Sequence, residues 1–237
     1  MSNSSLVNYV KLSPNHSGPR NHKIDTISIH CMAGDLSVEA CGALFAKPAT
    51  EASSNYGIGS DGRIALYVDE KNRSWCTSSA LNDNRAVTIE VANTVGYEPY
   101  PVSDKAYKSL IKLLADICER NGIKKLLWKA DPNLIGNVAQ QNMTVHRWFA
   151  AKSCPGTWLY QHHGQIAADV NKLLEGKVDI KDIPIYMVDN KSKVLVKGTV
   201  EDGTTYIKLR DVEKLFPVSI GWDAVAKVAT LSLNYKE

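Results

Sequence analysis

The sequence lacks long hydrophobic runs, and none approaches the ~18 residues that a membrane-spanning helix needs. The N-terminus also lacks a basic segment followed by an apolar stretch, which is the pattern of a signal peptide. We therefore expect synthesis in a cytoplasm and no insertion into a membrane. Repeats and low-complexity segments are absent, and the composition is ordinary, with 44% hydrophobic and 22% charged residues. Collagen-like, coiled-coil and disordered chains are thereby excluded.

The chain has little excess of either charge, with 28 Lys+Arg against 25 Asp+Glu. A net charge of +3 is too small for a typical nucleic-acid-binding domain, so we expect no nucleic acid as a partner. It is compatible with an anionic polymer such as a bacterial wall. Cysteine is also scarce: the five residues are odd in number and irregularly spaced. That pattern argues against a disulfide framework and leaves at least one thiol for other chemistry.

The first two-thirds of the chain shows alternating strand and helix patterns, which predicts an α/β domain over residues 1–176. Strands are expected at Asp25–His30 and Arg85–Ala92, a hairpin at Gly57–Val68, and helices at Ser37–Phe45, from Ser103 to Asn121, and from Trp158 to Leu174. In the two strands, apolar and polar residues alternate. His30 and Glu90 therefore fall on the polar faces of their strands.

A second pattern begins near residue 180, after a short linker at residues 175–177. Short strands are expected at Ile183–Val188, Lys193–Val200, Thr204–Leu209 and Val225–Leu233, with a turn at Asp202-Gly203 and a helical turn at Asp211–Leu215. The sequence thus predicts a separate, small, β-rich C-terminal domain over residues 180–237. Such a domain is small but large enough to fold.

Three residues have the chemistry of a metal site. Seven residues separate His146 from Cys154, which suggests one ligand leaving a strand and another on a loop before a helix. Imidazole and thiolate both suit Zn²⁺, and His30 offers a third ligand, which would leave one position open as in catalytic zinc sites. The alternative is a hydrogen-bonded histidine and a buried structural cysteine, and spacing alone leaves it open.

Two charged residues are candidates for catalysis. Glu90 lies in mid-strand between apolar residues, and its carboxylate could face a metal site or simply a solvated sheet face. Lys152 lies two residues before Cys154, so it is either carried close to any metal or is an ordinary exposed lysine.

Taken together, these motifs resemble the zinc-dependent N-acetylmuramoyl-L-alanine amidases, the amidase type shared by phage endolysins, bacterial autolysins and peptidoglycan recognition proteins. The matching residues are His30, Glu90 within its strand, His146–Phe149, Lys152–Gly156, Ser53–Gly62, the run from Trp75 to Asn93, and Ser13–Asn15. The resemblance extends from about Val7 to Leu174 and combines several motifs that are individually weak.

The resemblance implies a mixed central sheet flanked by helices, with zinc held by His30, His146 and Cys154. It implies peptidoglycan as the substrate and cleavage of the amide between N-acetylmuramic acid and L-alanine of the stem peptide. Glu90 would take a proton from water and pass it to the leaving amine, and Lys152 would stabilise the oxyanion.

One departure from the family concerns a tyrosine that some branches place near the zinc. The corresponding position here is Ser54, and Tyr56 falls where an aromatic core residue is common. Branches that use a glutamate match this chain better, which gives Glu90 more weight.

The C-terminal segment, Ile183–Leu233, resembles the small copper-amine-oxidase-like domain of Gram-positive wall proteins. The matching residues are Tyr206–Val212, Val218–Asp223 and Leu231–Leu233. The segment contains no histidine or cysteine, so we expect no copper site. The resemblance suggests wall attachment or self-association, and self-association would give a homo-oligomer formed through this domain.

The leading hypothesis is a phage or prophage endolysin that lyses a Gram-positive host after release through a holin. Three alternatives stay open: a non-catalytic peptidoglycan-binding protein, a host autolysin and a cytoplasmic recycling amidase. The absence of a signal peptide disfavours a standard autolysin, and the wall-type appendage disfavours a recycling enzyme.

Overall fold

A computed structural model describes residues 2–175, 181–186, 193–201, 204–216, 218–223 and 228–233 of the protein. The chain divides into two compact units, Met1–Glu175 and Gly176–Glu237. The linker predicted at residues 175–177 lies mostly outside the described residues. The roles assigned to the two domains stay predictions.

The first unit is built on a six-stranded sheet with the order β1-β5-β4-β7-β3-β8. Its strands are β1 (Tyr9–Val10), β3 (Thr26–Cys31), β4 (Tyr56–Ile58), β5 (Ile64–Leu66), β7 (Ala86–Val91) and β8 (Met143–Thr144), while β2 (His16–Ser17) pairs with β6 (Arg73–Ser74). Only β4 and β5 are antiparallel within the larger sheet. The prediction of a mixed central sheet is confirmed.

Helices cover both faces of this sheet. They are α1 (Val38–Phe45), α2 (Ala80–Arg85), α3 (Asp104–Asn121) and α4 (Gly156–Glu175), with short 3₁₀ turns at Pro48–Thr50, Pro132–Leu134 and His146–Trp148. The main core joins α3 and α4 to one sheet face, and a smaller cluster joins α1 to Ala65 and Tyr67 on the other. Sheet residues alternate between the two clusters, as period-2 patterning requires.

Helix α3 forms where its sequence predicts it. The Ser103 hydroxyl accepts a hydrogen bond from the Ala106 N–H at 3.1 Å and caps the first turn. The helix ends at Gly122, whose φ of 70° is favourable for glycine. The expected apolar face is fully buried and comprises Ala106, Leu110, Leu113, Leu114 and Ile117.

The register of β3 and β7 positions the chemistry. These strands are parallel, and Ile29 pairs with Ile89 while His30 pairs with Glu90. The two isoleucines face the main core. Because successive side chains point to opposite faces, the histidine and the glutamate lie side by side on the other face.

The second unit consists of short strands and is described by itself. Strands β9 (Lys181–Tyr186), β10 (Lys193–Glu201) and β11 (Thr204–Ile207) form one antiparallel sheet, and β12 (Val218–Asp223) pairs with β13 (Val228–Leu233). Leu209–Lys214 is a 3₁₀ turn. The predicted turn at Asp202-Gly203 lies outside the described residues. Strand β12 was not predicted, and β13 begins later than expected, at Val228.

No helix in the described ranges is both long and apolar enough to cross a membrane.

Candidate functional site

His30 ends up fully buried near the end of β3. Its Nδ1 lies 3.3 Å from the Cys154 Sγ, and its Nε2 lies 3.1 Å from the Ser28 hydroxyl. Ser28 donates its own proton to the Thr144 carbonyl at 3.3 Å. The Ser28 oxygen is thus left to accept from the Nε2–H, and the Nδ1 lone pair faces the thiol.

His146 opens the 3₁₀ turn that follows β8, and its ring centroid lies 5.2 Å from that of His30. Cys154 comes from the loop just before α4, as the spacing predicted. Arg147 joins the two segments, because its backbone N–H donates to the Cys154 carbonyl at 3.2 Å and its guanidinium donates to the Ser153 carbonyl.

The structure brings together the three predicted ligands. One ligand atom each from His30, His146 and Cys154 lies within 4.8 Å of the others. Tetrahedral zinc, with Zn–N of about 2.1 Å and Zn–S of about 2.3 Å, separates nitrogen from sulfur by about 3.5 Å. The observed 3.3 Å between His30 Nδ1 and Cys154 Sγ is close to that distance. This donor set therefore fits zinc.

Glu90 points toward the same place. Its Oε2 is buried and has no hydrogen-bond partner within the described residues, while its Oε1 lies 4.0 Å from the Cys76 Sγ. Burial, and then the neighbouring Cys31, raise the pKa of this carboxyl well above its usual value. An unpaired buried carboxylate oxygen is costly, and such groups mark functional sites.

A second group of potential ligands consists of His30, Cys76 and Glu90. The first group offers two imidazoles and a thiol, and its His30 Nδ1 and Cys154 Sγ lie 3.3 Å apart. In the second group, the Cys76 Sγ and the Glu90 Oε1 lie 4.0 Å apart, which is farther than the distance that zinc sets between two of its ligand atoms. We therefore assign the candidate metal site to His30, His146 and Cys154.

The electrostatics of the two histidines suit a metal site. Burial, followed by the charges of His146 and His163, lowers the pKa of His30 to about 3. Burial, followed by the charge of Lys152, lowers the pKa of His146. Both imidazoles are therefore neutral near pH 7, which is the form that binds metals.

Cys154 differs from the histidines in its protonation. A hydrogen bond with the Cys31 thiol, followed by burial, raises the pKa of Cys154. A bound divalent cation would supply the positive charge that favours its thiolate. The sequence alone does not predict contact between Cys31 and Cys154, because Cys31 follows a candidate ligand in its strand and is expected to be a small core residue on the opposite face. It packs in the core and also touches the site.

Lys152 is exposed and lines the same cavity as His146. This cavity has a volume of about 420 Å³, and Trp75 also lines it. A polymeric substrate can therefore approach the cluster from solvent.

An aromatic cluster supports the segment that carries His146. Trp148 stacks on Trp128 with centroids 5.1 Å apart and planes 6° from parallel, and His163 lies 4.5 Å from Trp128. From the sequence alone, the adjacent His162 and His163 near the start of the last helix are expected at the surface. This expectation is wrong for His163, which is fully buried, because the helical turn directs it toward Trp128.

Ser54 and Tyr56 take no part in the site. Both are fully buried, and the Tyr56 hydroxyl donates to Glu70 Oε1 at 2.5 Å. Sequence reasoning missed Ser78, whose hydroxyl lies 3.1 Å from His146 Nε2. A serine before a short helix gives no sequence signal for such a contact.

Comparison with protein families identifies a family for this chain. The family model described as N-acetylmuramoyl-L-alanine amidase matches residues 20–157, more than half of the chain. All five predicted site residues lie within that range. No curated protein matches the chain in sequence.

Several solved structures share the fold. A mutant of PlyL is 14% identical and covers 68% of this chain and 96% of its own, with a TM-score of 0.50. A selenomethionine derivative of AmpD is 19% identical, with coverages of 72% and 95% and a TM-score of 0.50. The catalytic domain of XlyA is 16% identical, with coverages of 69% and 99% and a TM-score of 0.50. At these identities the likeness concerns the fold alone.

Proposed function

This chain belongs to the N-acetylmuramoyl-L-alanine amidase family, and from that premise we propose that it is a zinc-dependent peptidoglycan hydrolase. It cleaves the amide between N-acetylmuramic acid and the L-alanine of the stem peptide. The observation that carries this proposal is the convergence of His30, His146 and Cys154 beside the unpaired carboxylate oxygen of Glu90. Three protein ligands that leave one position open are the pattern of a catalytic zinc site.

His30, His146 and Cys154 would hold the metal. When bound, zinc supplies a Lewis acid that polarises the scissile carbonyl and lowers the pKa of water. Glu90 accepts a proton from the attacking water and transfers it to the leaving nitrogen, so that the product departs as a neutral amine. Burial raises the pKa of Glu90, and a carboxylate with a raised pKa is a stronger base than an exposed one.

Lys152 is assigned to the oxyanion. Its position in the loop before Cys154, on the wall of the cavity that contains His146, supports this role. The charge of an ammonium placed there stabilises the negative charge that develops on the carbonyl oxygen. Because Lys152 is not a metal ligand, its removal should leave metal binding intact.

We further propose that the protein acts as a phage or prophage endolysin on the cell wall of a Gram-positive host. The resemblance of Ser13–Asn15 to Gram-positive phage members supports this role. Release through a holin would bring the enzyme to the wall. The second unit would bind the wall or associate with another copy of itself.

The runner-up is a protein that binds peptidoglycan without cutting it. Cys154 discriminates between the two, since relatives that only bind typically lack this ligand. Its position 3.3 Å from His30 favours the enzyme.

The decisive experiment analyses the products of digestion. The zinc-loaded full chain is incubated with purified peptidoglycan, and the soluble fragments are examined by mass spectrometry. We expect new L-alanine N-termini without new reducing sugar ends. Chelation should stop the reaction and added zinc should restore it.

Two cysteine variants provide the matched controls. Cys154→Ala should lose both bound zinc and hydrolysis, whereas Cys118→Ala, a fully buried thiol on α3, should retain both. Full activity of a metal-free Cys154→Ala protein would refute the zinc mechanism. Binding to peptidoglycan by the zinc-loaded wild type without any new L-alanine N-termini would favour the runner-up.

A further inference from the structure

Ser78 contacts a candidate metal ligand although it is not itself a ligand. Its hydroxyl lies 3.1 Å from the Nε2 of His146, and this is the one hydrogen bond that its side chain makes with the described residues. We propose that Ser78 is a positioning residue that fixes the tautomer and orientation of His146 for metal binding. This inference rests on the zinc site of the proposed function.

Hydrogen-bond chemistry gives the direction of the effect. A neutral imidazole has one N–H and one lone pair. If Nε2–H donates to the Ser78 oxygen, the lone pair is on Nδ1, which is then the nitrogen available to a metal. His30 has the same arrangement, with its Nε2 on Ser28 and its Nδ1 facing Cys154. Partners of this kind orient metal-binding histidines and raise their basicity.

The backbone at Ser78 is held in an unfavourable conformation. Its φ of 62° lies in the left-handed region, which residues other than glycine, asparagine and aspartate seldom adopt. Residues in that region persist when their surroundings dictate the conformation, and they cluster at functional sites. Glycine would satisfy the backbone alone, so the presence of serine points to use of its hydroxyl.

Asp83 supplies the surroundings that dictate this turn. Its carboxylate accepts hydrogen bonds from the Cys76 N–H at 3.0 Å, the Thr77 N–H at 3.2 Å and the Thr77 hydroxyl at 2.6 Å. The two residues before Ser78 are thus held to the first turns of α2. The Ser78 side chain is thereby directed at His146 by the fold rather than by its own contacts.

The neighbouring serine has a different task and provides a matched control. The Ser79 hydroxyl caps α2 by accepting from the Asn82 N–H at 3.3 Å. Its loss should weaken the helix without changing the contact to His146. Because Ser78 is exposed, replacing it leaves no buried polar group without a partner at position 78.

The experiment uses the full chain with Zn²⁺ as the probe. Zinc dissociation constants are measured by competition with a chelator for the wild type, Ser78→Ala, Ser78→Gly and Ser79→Ala. Glycine accepts the positive φ, so Ser78→Gly removes the hydroxyl without backbone strain. In parallel, ¹⁵N NMR of the zinc-free proteins reports which ring nitrogen of His146 carries the proton, and thermal melts report stability.

We expect both Ser78 variants to bind zinc about 10–100-fold more weakly, and their His146 to lose its preference for the Nε2–H tautomer. Ser79→Ala should lower the melting temperature and leave the zinc dissociation constant unchanged.

Two results would overturn the inference. The first is a zinc affinity within about threefold of wild type in both Ser78 variants, which would mean that water replaces the hydroxyl. The second is an equal loss of affinity in Ser79→Ala, which would mean that only loop order matters. Both results leave the zinc site of the proposed function standing. A wild type that binds no zinc overturns the metal site and this inference together.

Discussion

His163 should make the first unit sensitive to acid. The side chain is fully buried in α4, where its Nδ1–H donates to the Leu159 carbonyl at 2.6 Å and its Nε2 has no partner within the described residues. Burial lowers the pKa of His163 to about 4, although the hydrogen bond to Leu159 opposes the change and the charge of Arg147 adds to it. The perturbation is His163→Phe, which keeps a ring against Trp128 and removes the titrating group.

The magnitude follows from the two pKa values. An unfolded histidine has a pKa of about 6.5, so the difference of about 2.5 units corresponds to about 3 kcal/mol. Between these values the unfolded chain binds more protons than the folded one. The contribution is therefore fully present above pH ~6.5 and is lost as the pH falls toward ~4. For a chain of this size, a loss of about 3 kcal/mol lowers the melting temperature by roughly 6–12 °C.

The assay is a series of thermal melts of the zinc-free protein between about pH 4.5 and pH 7.5, followed by tryptophan fluorescence. His30 has a pKa of about 3 and contributes in the same range, so the wild type and His163→Phe are compared pH by pH. As the pH falls from ~6.5 to ~4, the stability of the variant should decrease less steeply than that of the wild type. The difference in slope should correspond to about one proton fewer taken up on unfolding. His162→Phe, at a half-buried position stacked on Trp158, serves as the control and should behave as the wild type. Identical pH profiles for wild type and His163→Phe would refute the reasoning.

Three further predictions concern chemistry, stability and domain organisation. Glu90→Gln should keep zinc near one equivalent while turnover falls about 10²–10⁴-fold, the usual worth of a positioned base; loss of zinc would make Glu90 a ligand. Arg120→Ala removes a cation 2.6 Å and 2.9 Å from the two carboxylate oxygens of fully buried Glu70. It should lower the free energy of unfolding by about 3 kcal/mol in urea titrations, and an unchanged value would contradict this. A chain ending at about Lys177 should cleave a soluble muropeptide normally and lose activity chiefly on intact walls, because it loses a second attachment. Inactivity on the soluble substrate would place the tail within the core.

Periodicity was sufficient for the parts of the fold in which burial follows a regular pattern. The alternation in β3 and β7 correctly placed His30 and Glu90 on the face opposite the apolar residues. The apolar stripe of α3 was also predicted correctly, with its cap at Ser103 and its end at Gly122. In these elements, local sequence preference and tertiary packing favour the same structure.

Short elements could not be predicted in this way. Helix α2 spans six residues, Ala80–Arg85, and contains two asparagines and an aspartate, which are weak helix formers. It forms because Ser79 caps it and Asp83 bonds back to the preceding turn. Strands of two residues, such as β8, have no period to detect. Their pairing depends on neighbours that are distant in sequence.

The residues that contact the candidate ligands could not be predicted from the sequence either. Cys31, Ser78 and His163 approach the site from segments that the spacing of His146 and Cys154 does not connect. Whether a histidine is buried depends on the helix face that packs inward, and the His162-His163 pair gives no indication of which one that is. Those side chains become visible only once the sheet order is known.

The sheet order also explains why residues far apart in sequence meet at one site. Strands β3, β7 and β8 run parallel and lie next to one another, so their carboxyl ends meet at the same edge of the sheet. His30 lies near the end of β3, Glu90 near the end of β7, and His146 just after β8. In open α/β sheets this edge is where ligands bind. Because each strand contributes one residue near its end, the cluster needs no local motif, and the loop before α4 has only to supply Cys154 to complete it.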